Sequence, residues 1–328
     1  MCYIGIKIAI IKSMENTYPK KVISAIRDCF PEADITSISK FSGGLTSSVY
    51  KVEIHNPDKI LAVKIFPKKL ESNVEKSINI SNYLLEHNLP ASRGYGLFKD
   101  NNEGSVVMDC LSGRAVSEAW ETASIENQKK ILVNSGAILR KIHNLKIPTF
   151  WIHQKHEVTS TEEWVNWTNL RIKKYLIFIQ ENLDKEVVNF LNLAFKRLQD
   201  LYQLHPDFNF VPLHWDYHFS NINIDDNFNI SGLFDFDNAM KGHDMADLGQ
   251  TVYWLILQQK VSEKETFGNL FVGYGDLSLI DREFVQLHFL LFLAGVMRST
   301  WSKEKLKWLK NSHIEILKKC TQGGYYFV

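Results

Sequence analysis

Residues 214–221 read His-Trp-Asp-Tyr-His-Phe-Ser-Asn, and residues 233–237 read Leu-Phe-Asp-Phe-Asp. The first segment has the spacing H-x-D-x-x-x-x-N, and an aspartate flanked by apolar residues follows it. The carboxylate of Asp216 can orient a hydroxyl and accept its proton, while the Asn221 amide oxygen and the Asp235 carboxylate are hard ligands that suit Mg²⁺. A carboxylate, an amide and a second carboxylate in this order are typical of metal-dependent phosphoryl transfer. The stretch therefore predicts that chemistry, with Asp216 as the catalytic residue.

The residues between these segments predict a β-hairpin. Residues 221–224 alternate polar and apolar side chains, residues 225–227 supply turn chemistry, and residues 230–234 resume an apolar strand. A hairpin of this kind would return Asn221 and Asp235 to the same end of a two-stranded ribbon, as one bound metal ion requires. The alternative, in which the aspartates only cap a turn or solvate a loop, is disfavoured because all the elements occur together.

The composition is that of an ordinary globular protein long enough for about two lobes. Of the 328 residues, 45% are hydrophobic and 23% are charged, and the formal net charge is +1. A net charge so close to zero argues against a strong positive field that would attract nucleic acids or anionic membranes, so we expect neither partner. The sequence contains no transmembrane segment, internal repeat or low-complexity tract.

The cysteines indicate a reducing environment. They are scattered without C-x-x-C spacing, at Cys2, Cys29, Cys110 and Cys320. This distribution favours neither a zinc site nor a disulfide framework, and the cytoplasm is the expected compartment. Residues 1–13 read either as an upstream extension or as an extra edge strand.

Two parts of the chain differ in their predicted secondary structure. The strands expected in residues 1–109 span 35–41, 49–54, 60–66 and 105–108, and the helices there span 18–29 and 74–87. Residues 114–328 are mainly helical, with apolar residues at helical spacing in 125–143, 161–181, 186–204, 245–258, 280–301 and 304–320. A β-rich small lobe before a helical large lobe predicts one catalytic unit with a cleft, and residues 110–113 form the expected hinge.

The ordered motifs resemble those of the aminoglycoside phosphotransferase and choline kinase group over approximately residues 35–249. The resemblance implies an α+β, two-lobed protein-kinase-like fold with a small β-rich N-lobe and a larger, mainly helical C-lobe. It also implies that Asp216 is the catalytic aspartate, and that Asn221 and Asp235 hold Mg²⁺ bound to ATP or GTP. His214 would help to shape the catalytic loop.

Lys64 lies in the apolar run 61–65, which resembles the family's lysine-bearing strand. Burying an ammonium group is costly unless it is paired, so this lysine is disfavoured as a solvent-facing edge residue. The resemblance implies that Lys64 contacts the α- and β-phosphate oxygens and pairs with a helix carboxylate. We choose Glu75 as the partner and keep Glu71 as its rival, because the spacing from Glu75 to Pro90 is about one helical turn longer than is usual for the family.

Two further segments resemble nucleotide-binding parts of the family. The sequence Ser42-Gly43-Gly44-Leu45-Thr46-Ser47-Ser48 stands where the family has its phosphate-covering loop. Glycines let backbone N–H groups approach phosphates, and the hydroxyls of Ser42, Thr46 and Ser47 can also donate; an ordinary hairpin is the alternative. The Walker pattern is missing, which disfavours a P-loop enzyme. The sequence Met108-Asp109-Cys110-Leu111-Ser112-Gly113 resembles the hinge whose backbone binds the purine, which assigns Asp109, Cys110 and Leu111 to the nucleotide.

Three positions near the catalytic segment are interpreted as supporting residues. Asp247 is expected to cap a helix or to brace the catalytic loop. Asp237 lies two residues beyond Asp235, and a solvated charge is favoured there over a second metal contact. Trp215 stands where the family commonly has glycine, and core packing is favoured over an aromatic face at the cleft.

The acceptor is the part of the function that the sequence determines least. Residues 205–250 contain eight acidic residues and one lysine, and an acidic cleft favours cationic acceptors. We therefore expect a small-molecule kinase, with an aminoglycoside-type antibiotic as the first acceptor to consider. A choline-, ethanolamine- or homoserine-type kinase and a nucleotide-binding protein without transfer activity are the alternatives. A protein kinase is disfavoured because no D-F-G or A-P-E signature is recognisable. Core packing is favoured for the tryptophans of the helical region, namely Trp164, Trp167, Trp301 and Trp308.

Overall fold

The computed structural model describes residues 19–41, 47–100, 102–152, 158–259, 263–303 and 306–322. Within these ranges the chain forms two compact units. The first unit comprises the chain up to Gly113 together with the internal segment Ser231–Asp237, and the second comprises Arg114–Ile230 and the chain from Asn238 onward. The segment that carries Asp235 therefore belongs to the first unit.

The first unit is built on an antiparallel sheet whose described strands have the order β1-β2-β3-β5-β4. Their bounds are β1 (Asp34–Lys40), β2 (Ser48–His55), β3 (Lys59–Pro67), β4 (Gly94–Lys99) and β5 (Glu103–Asp109). The central strand β3 pairs with β2 on one side and β5 on the other, so Lys64 lies opposite Val49 and Val106. Both neighbours hold the backbone of Lys64 in the middle of the sheet.

Two helices cover the two faces of this sheet, α1 (Lys20–Cys29) and α2 (Glu71–Glu86). Successive side chains of a strand point to opposite faces, and β3 supplies both cores. Val63 belongs to the apolar cluster that includes α1, whereas Phe66 packs in a second cluster with α2. Lys64 shares the face of Phe66 and therefore lies under α2. Each fully buried aliphatic or aromatic side chain contributes roughly 1.5–3 kcal/mol to these cores.

The second unit is mainly helical. Its described helices are α3 (Val116–Ala119), α4 (Ile125–His143), α5 (Thr161–Asn182), α6 (Lys185–Leu204), α7 (Asp244–Gln259), α8 (Glu263–Tyr274), α9 (Leu279–Thr300) and α10 (Lys307–Thr321). None of the helices in the described part of the chain is long and apolar enough to cross a membrane. The predicted helices of this region agree with α4–α7, α9 and α10 to within a few residues.

Short strands frame the predicted catalytic segment, residues 214–221. In the second unit β6 (Arg114–Ala115) pairs with β8 (Ile222–Ile224), and β7 (Phe210–Leu213) pairs with β10 (Met240–His243). Strand β9 (Ile230–Leu233) follows β8 after a turn in which Asp225 accepts from the backbone N–H groups of residues 227 and 229. The catalytic segment thus begins where β7 ends and stops where β8 begins.

Helix α8 was not predicted, because its sequence contains glycines and weak apolar periodicity. Its stability comes from contact with α4, where the two backbones touch. A Cβ on Gly273 would clash with the carbonyl of Val133, and one on Gly136 would clash with the carbonyl of Leu270. Only glycine permits this approach, so packing overrides the low helix propensity of these residues.

Candidate active site

A buried carboxylate holds the backbone of the catalytic loop. Asp247 of α7 is fully buried, and its two oxygens accept from the backbone N–H groups of His214 (2.8 Å) and Trp215 (2.9 Å). The carbonyl of Trp215 accepts from Gln250 Nε2 at 3.0 Å. The prediction that Asp247 braces this loop is confirmed.

Trp215 adopts a left-handed backbone conformation, with φ of 59°. This region of φ favours glycine, which explains why a glycine suits this position and why a tryptophan here is strained. The bonds from Asp247 and Gln250 fix the peptide groups on both sides of Trp215 and so stabilise the conformation.

Asp216 follows this strained residue and is held by polar neighbours. Its side chain is 20% exposed, and its Oδ2 accepts from Asn238 Nδ2 at 3.3 Å. The Nε2 atom of His218 lies 3.6 Å from Oδ1. Burial lowers the pKa of His218 to about 4, so the imidazole is neutral near pH 7 and does not cancel the charge of Asp216.

Asn221 is buried and helps to fix the catalytic loop. Its Nδ2 donates to the carbonyl of Asp216 at 3.0 Å and lies 3.2 Å from His218 Nε2. Because the amide nitrogen is used in this way, Oδ1 is the atom of Asn221 that could bind a cation. This orientation is compatible with the metal role predicted for Asn221.

In the first unit, Lys64 faces two aspartates. Its Nζ lies 3.7 Å from Asp237 Oδ2, and both side chains are 22% exposed. Burial raises the pKa of Asp235, the negative charge of Asp237 raises it further, and the positive charge of Lys64 lowers it. The chain around these aspartates is anchored on α2, because Phe236 N–H donates to Ser77 Oγ and Lys76 Nζ donates to the carbonyl of Asp237.

The ion pair predicted between Lys64 and Glu75 is not present in the structure. Glu75 and its rival Glu71 both contact Lys99 Nζ, at 2.9 and 3.0 Å. They are one helical turn apart and face β4 at the edge of the sheet. Over Lys64, α2 instead presents Val74, Ser77, Ile78 and Ser81, which line a small cavity. Asp237 takes the place of the helix carboxylate, so the favoured interpretation of Asp237 as a solvated charge was wrong.

The acidic residues of the first unit fit a divalent cation. Asp237 Oδ1 is buried without a hydrogen-bond partner, and the carboxylate of Asp235, a more exposed residue, lies close enough to Asp237 for the negative charge of Asp237 to raise its pKa. Two carboxylates in such surroundings repel each other, and oxygen ligands of this kind are preferred by Mg²⁺. Asp235 also has a left-handed backbone (φ 64°), a strain that is found most often at functional sites.

The predicted nucleotide loop lies mostly outside the described residues, which exclude Ser42, Gly43, Gly44 and Thr46. Ser47 is described, and its Oγ is buried without a hydrogen-bond partner in the part of the chain that the structure describes. It stands immediately before β2 and so is placed to donate to a ligand from the end of that strand.

The backbone N–H groups of two of the three predicted hinge residues already donate hydrogen bonds within the protein. The N–H of Asp109 donates to the carbonyl of Arg93 at 2.9 Å, and the N–H of Cys110 donates to the carbonyl of Ile60 at 3.0 Å. These donors hold the end of the sheet and are not available to a purine. Of the three predicted residues, Leu111 is therefore the one whose N–H stays a candidate for purine binding.

A cavity of about 440 Å³ opens beside Asp216 in the second unit. Its walls come from α5, the catalytic loop, α7 and α9, and it is lined by Trp167, Arg171, Tyr175, Trp215, Asp216, Asn238, Gln250, Trp254, Phe292, Gly295, Val296 and Ser299. The sequence interpretation missed Arg171 and Asn238. It was right to place Trp164 in the core, but Trp167 lines this cavity and Trp308 is 58% exposed.

Comparison with known proteins identifies the family and the fold of the chain. The sequence model of the phosphotransferase enzyme family (APH) matches residues 37–280. A comparison with curated proteins finds no match. A candidate aminoglycoside phosphotransferase from Ralstonia eutropha JMP134 is similar in structure, with 13% identity, a TM-score of 0.65, and coverage of 94% of this chain and 98% of that one.

Two further solved structures have the same fold. ADP-bound aminoglycoside phosphotransferase APH(2'')-Ib shares 12% identity with a TM-score of 0.59, over 94% of this chain and 100% of its own. A candidate fructosamine-3-kinase from Haemophilus somnus 129PT shares 13% identity with a TM-score of 0.60, over 91% and 97%. The expected two-lobed protein-kinase-like fold, with its β-rich N-lobe and helical C-lobe, is confirmed. The chain therefore belongs to the phosphotransferase enzyme family, and it is a phosphotransferase.

Proposed function

We propose that this protein is a small-molecule kinase that transfers the γ-phosphoryl group of ATP or GTP, bound with Mg²⁺, to a hydroxyl of an acceptor in the cavity beside Asp216. The observation that supports it most is the position of Asp216 at the wall of that cavity, in a loop braced by Asp247 and Gln250. A cavity of about 440 Å³ suits a small molecule better than a folded protein substrate.

In the proposed reaction, Asp216 orients the acceptor hydroxyl and finally accepts its proton. The acceptor oxygen forms a bond to the γ-phosphorus as the bond from that phosphorus to the nucleoside diphosphate breaks. Asn238 donates to Oδ2 of Asp216 and limits the rotation of the carboxylate, while Asn221 fixes the carbonyl of the same residue. Positioning of this kind supplies much of the catalysis when the transition state is loose.

The nucleotide would be bound by residues of the first unit. Lys64 would contact phosphate oxygens, and Asp235 and Asp237 would hold Mg²⁺ together with Asn221. The ion would neutralise charge on the phosphates when bound. Ser47 and the N–H of Leu111 would donate to the nucleotide, as would Ser42, Gly43, Gly44 and Thr46, the loop residues predicted from the sequence. The ADP-bound relative supports a nucleotide donor. The thiols of Cys29 and Cys110 are free, which suits the reducing cytoplasm that we propose as the compartment.

The aminoglycoside acceptor predicted from the sequence is supported by the names of similar structures, one of which is a gentamicin complex of APH(2'')-IIa. A structure named as a candidate fructosamine-3-kinase has the same fold, so the fold alone does not identify the acceptor. We therefore propose a small hydroxyl compound as the class, with aminoglycosides as one member to test, and choline-, ethanolamine- and homoserine-type metabolites as others. Binding without transfer is the second candidate, and the retention of Asp216, Asn221 and Asp235 counts against it.

The test is a phosphate-transfer screen of the purified full chain with Mg²⁺ and either ATP or GTP. Asp216→Asn should lower kcat by about 10²- to 10⁴-fold while nucleotide affinity changes little, because it removes the proton acceptor and keeps the shape of the side chain. Asp226→Asn is the matched control, since Asp226 is exposed in the turn after β8. Unchanged turnover by Asp216→Asn would contradict the mechanism. Nucleotide binding with no turnover of any acceptor would favour the binding protein.

A further inference from the structure

The cavity beside Asp216 contains a positive charge that the proposed reaction does not use. The guanidinium carbon of Arg171 lies 4.5 Å from the ring centroid of Trp167, 5.6 Å from that of Trp215 and 5.7 Å from that of Tyr175. Its Nε donates to the Tyr175 hydroxyl at 3.3 Å. Aromatic faces on three sides hold the guanidinium in place within the cavity.

Arg171 has an unused hydrogen-bonding group. Its Nη1 is buried without a hydrogen-bond partner, and across the described ranges no carboxylate lies within ion-pairing distance of the guanidinium. An unpaired guanidinium is costly in such surroundings, and Arg171 lines the cavity, so an acceptor group on a ligand bound there would offset that cost. The fork of guanidinium N–H groups matches the oxygens of a carboxylate or a phosphate.

The remaining walls do not favour a cationic ligand. Asp216 is the one carboxylate among the described lining residues, and the polar side chains of Asn238, Gln250 and Ser299 are neutral. The aromatic faces of Trp167 and Trp215 that could attract an ammonium group are already in contact with the guanidinium. A positive ligand would therefore be repelled by Arg171 and could not use the faces of Trp167 and Trp215 that the guanidinium covers.

The acidic residues that suggested a cationic acceptor serve other purposes. Asp225 holds a turn, Asp244 and Asp247 are buried braces, and Asp235 and Asp237 lie with Lys64 in the first unit. The high density of acidic residues in the sequence thus does not describe the charge of the cavity.

We propose that the acceptor is a small hydroxy compound carrying a carboxylate or phosphate group, which pairs with Arg171 while a hydroxyl of the same molecule meets Asp216. This inference rests on the proposed function and narrows its substrate class. Arg171 then selects the acceptor by charge, and Trp254 and Phe292 offer apolar surface to its carbon skeleton.

The first experiment measures binding to the full chain by isothermal titration with hydroxy compounds in matched sets. One set is glucuronate, glucose and glucosamine, which share a ring and differ in charge; a second is 4-hydroxybutyrate, 1,4-butanediol and 4-amino-1-butanol. Glucose 6-phosphate and inorganic phosphate test the phosphate source. In at least one set the anionic member should bind about tenfold or more tightly than the neutral one, and the preference should weaken with added NaCl.

Variants of Arg171 connect this preference to the residue. Arg171→Gln should abolish it, and Arg171→Lys should retain part of it, because an ammonium keeps the charge without the fork. Arg282→Gln is the control, since Arg282 also lies over an aromatic ring, Phe271, but outside the cavity. Thermal unfolding checks that each variant is folded. If Arg171→Gln does not fold, the comparison of wild type with Arg171→Lys decides the question.

The outcomes separate this inference from the function on which it rests. Tighter binding of the neutral or amine member in every set, or an anion preference that folded Arg171 variants retain in full, would overturn the inference. ADP release with each compound is measured in parallel and tests the function independently. Turnover of amines without dependence on Arg171 would support the kinase function and contradict the anionic acceptor. Anion binding through Arg171 without any turnover would support the anion site and contradict the kinase function.

Discussion

Two carboxylates of the proposed reaction are joined to strained backbone. Trp215, which precedes Asp216, and Asp235 itself both have positive φ, at 59° and 64°. A non-glycine residue in this region costs of order 1 kcal/mol or more, so the surrounding contacts must offset the strain. Asp247 and Gln250 do so for Trp215 by bonding both of its peptide groups. Asp235 is in a residue class that tolerates this conformation, whereas a tryptophan does so only when it is held.

The partner of Lys64 can be tested at the level of single side chains. Asp237→Asn should weaken Mg²⁺–ATP binding by about tenfold or more, because it removes the charge that pairs with Lys64 and a proposed ligand of the ion. Glu75→Gln should change the affinity by less than about threefold, since its side chain is 50% exposed and contacts Lys99. Titration of both variants with the nucleotide in excess Mg²⁺ gives the comparison. A larger effect from Glu75→Gln would show that Lys64 pairs with Glu75, as the sequence predicts, when nucleotide is bound.

At the scale of elements, the contact between α4 and α8 depends on glycine more than on apolar surface. Helix α8 has a poor helical sequence, and yet its backbone lies against that of α4 because Gly136 and Gly273 have no side chains.

Two glycines of α8 provide a matched pair for this claim. Gly273→Ala should lower the free energy of unfolding by at least about 1–3 kcal/mol, because its Cβ would meet backbone atoms of α4 that cannot move freely. Gly268→Ala should raise it by up to about 1 kcal/mol, since no atom lies within 4 Å of its Cβ and alanine favours the helix. Urea denaturation of the two variants measures both changes. Equal effects from the two substitutions would refute the close backbone contact.

At the scale of the whole molecule, several buried histidines make stability depend on pH. Burial lowers the pKa of His243 to about 3 and that of His313 to about 4, and the neighbouring charge of His143 adds to the effect on His243. Burial also places the pKa of His288 well below its usual range, with further contributions from His243 and Arg171. The unfolded chain binds these protons near pH 6.5, and the folded chain does not.

Stability should therefore be fully present above about pH 6.5 and decline as pH falls from there towards about 4. Each such histidine contributes a slope of up to about 1.4 kcal/mol per pH unit in that window, because the unfolded state binds the additional proton. Denaturant midpoints between pH 8 and pH 4.5 measure the decline. His313→Gln should reduce the slope of unfolding free energy against pH by the contribution of one histidine. A curve that is flat below pH 6 would contradict the neutral buried state of these residues.

The sequence was sufficient for the phosphotransferase class and for most helices and strands, because the motif that holds Asp216 and Asn221 lies in one short segment and Lys64 lies in an apolar strand. It was not sufficient for the partner of Lys64. Glu71 and Glu75 were visible on a helix, but the competing Asp237 comes from a segment far along the chain that joins the first unit. Contacts between distant segments depend on the fold, and a local pattern does not reveal them.

The charge of the cavity beside Asp216 does not follow from the local sequence, for a related reason. Acidic residues close together in sequence predict one acidic surface, although the fold distributes them among a turn, buried braces and the first unit. A signal for Arg171 was present, since Trp167, Arg171 and Tyr175 are four residues apart and share one face of α5. Such a pattern gains meaning only when the catalytic loop is known to lie beside that face.

The internal segment Ser231–Asp237 has a consequence for how this chain can be divided and recombined. The polypeptide passes between its two units three times, after residues 113, 230 and 237. A single proteolytic cut after Gly113 would therefore leave part of the first unit attached to the second. In a chimera with a relative, exchange of residues 1–113 alone would take Lys64 from one parent and its partner Asp237 from the other. Inheritance of a matched pair requires that both segments be exchanged together.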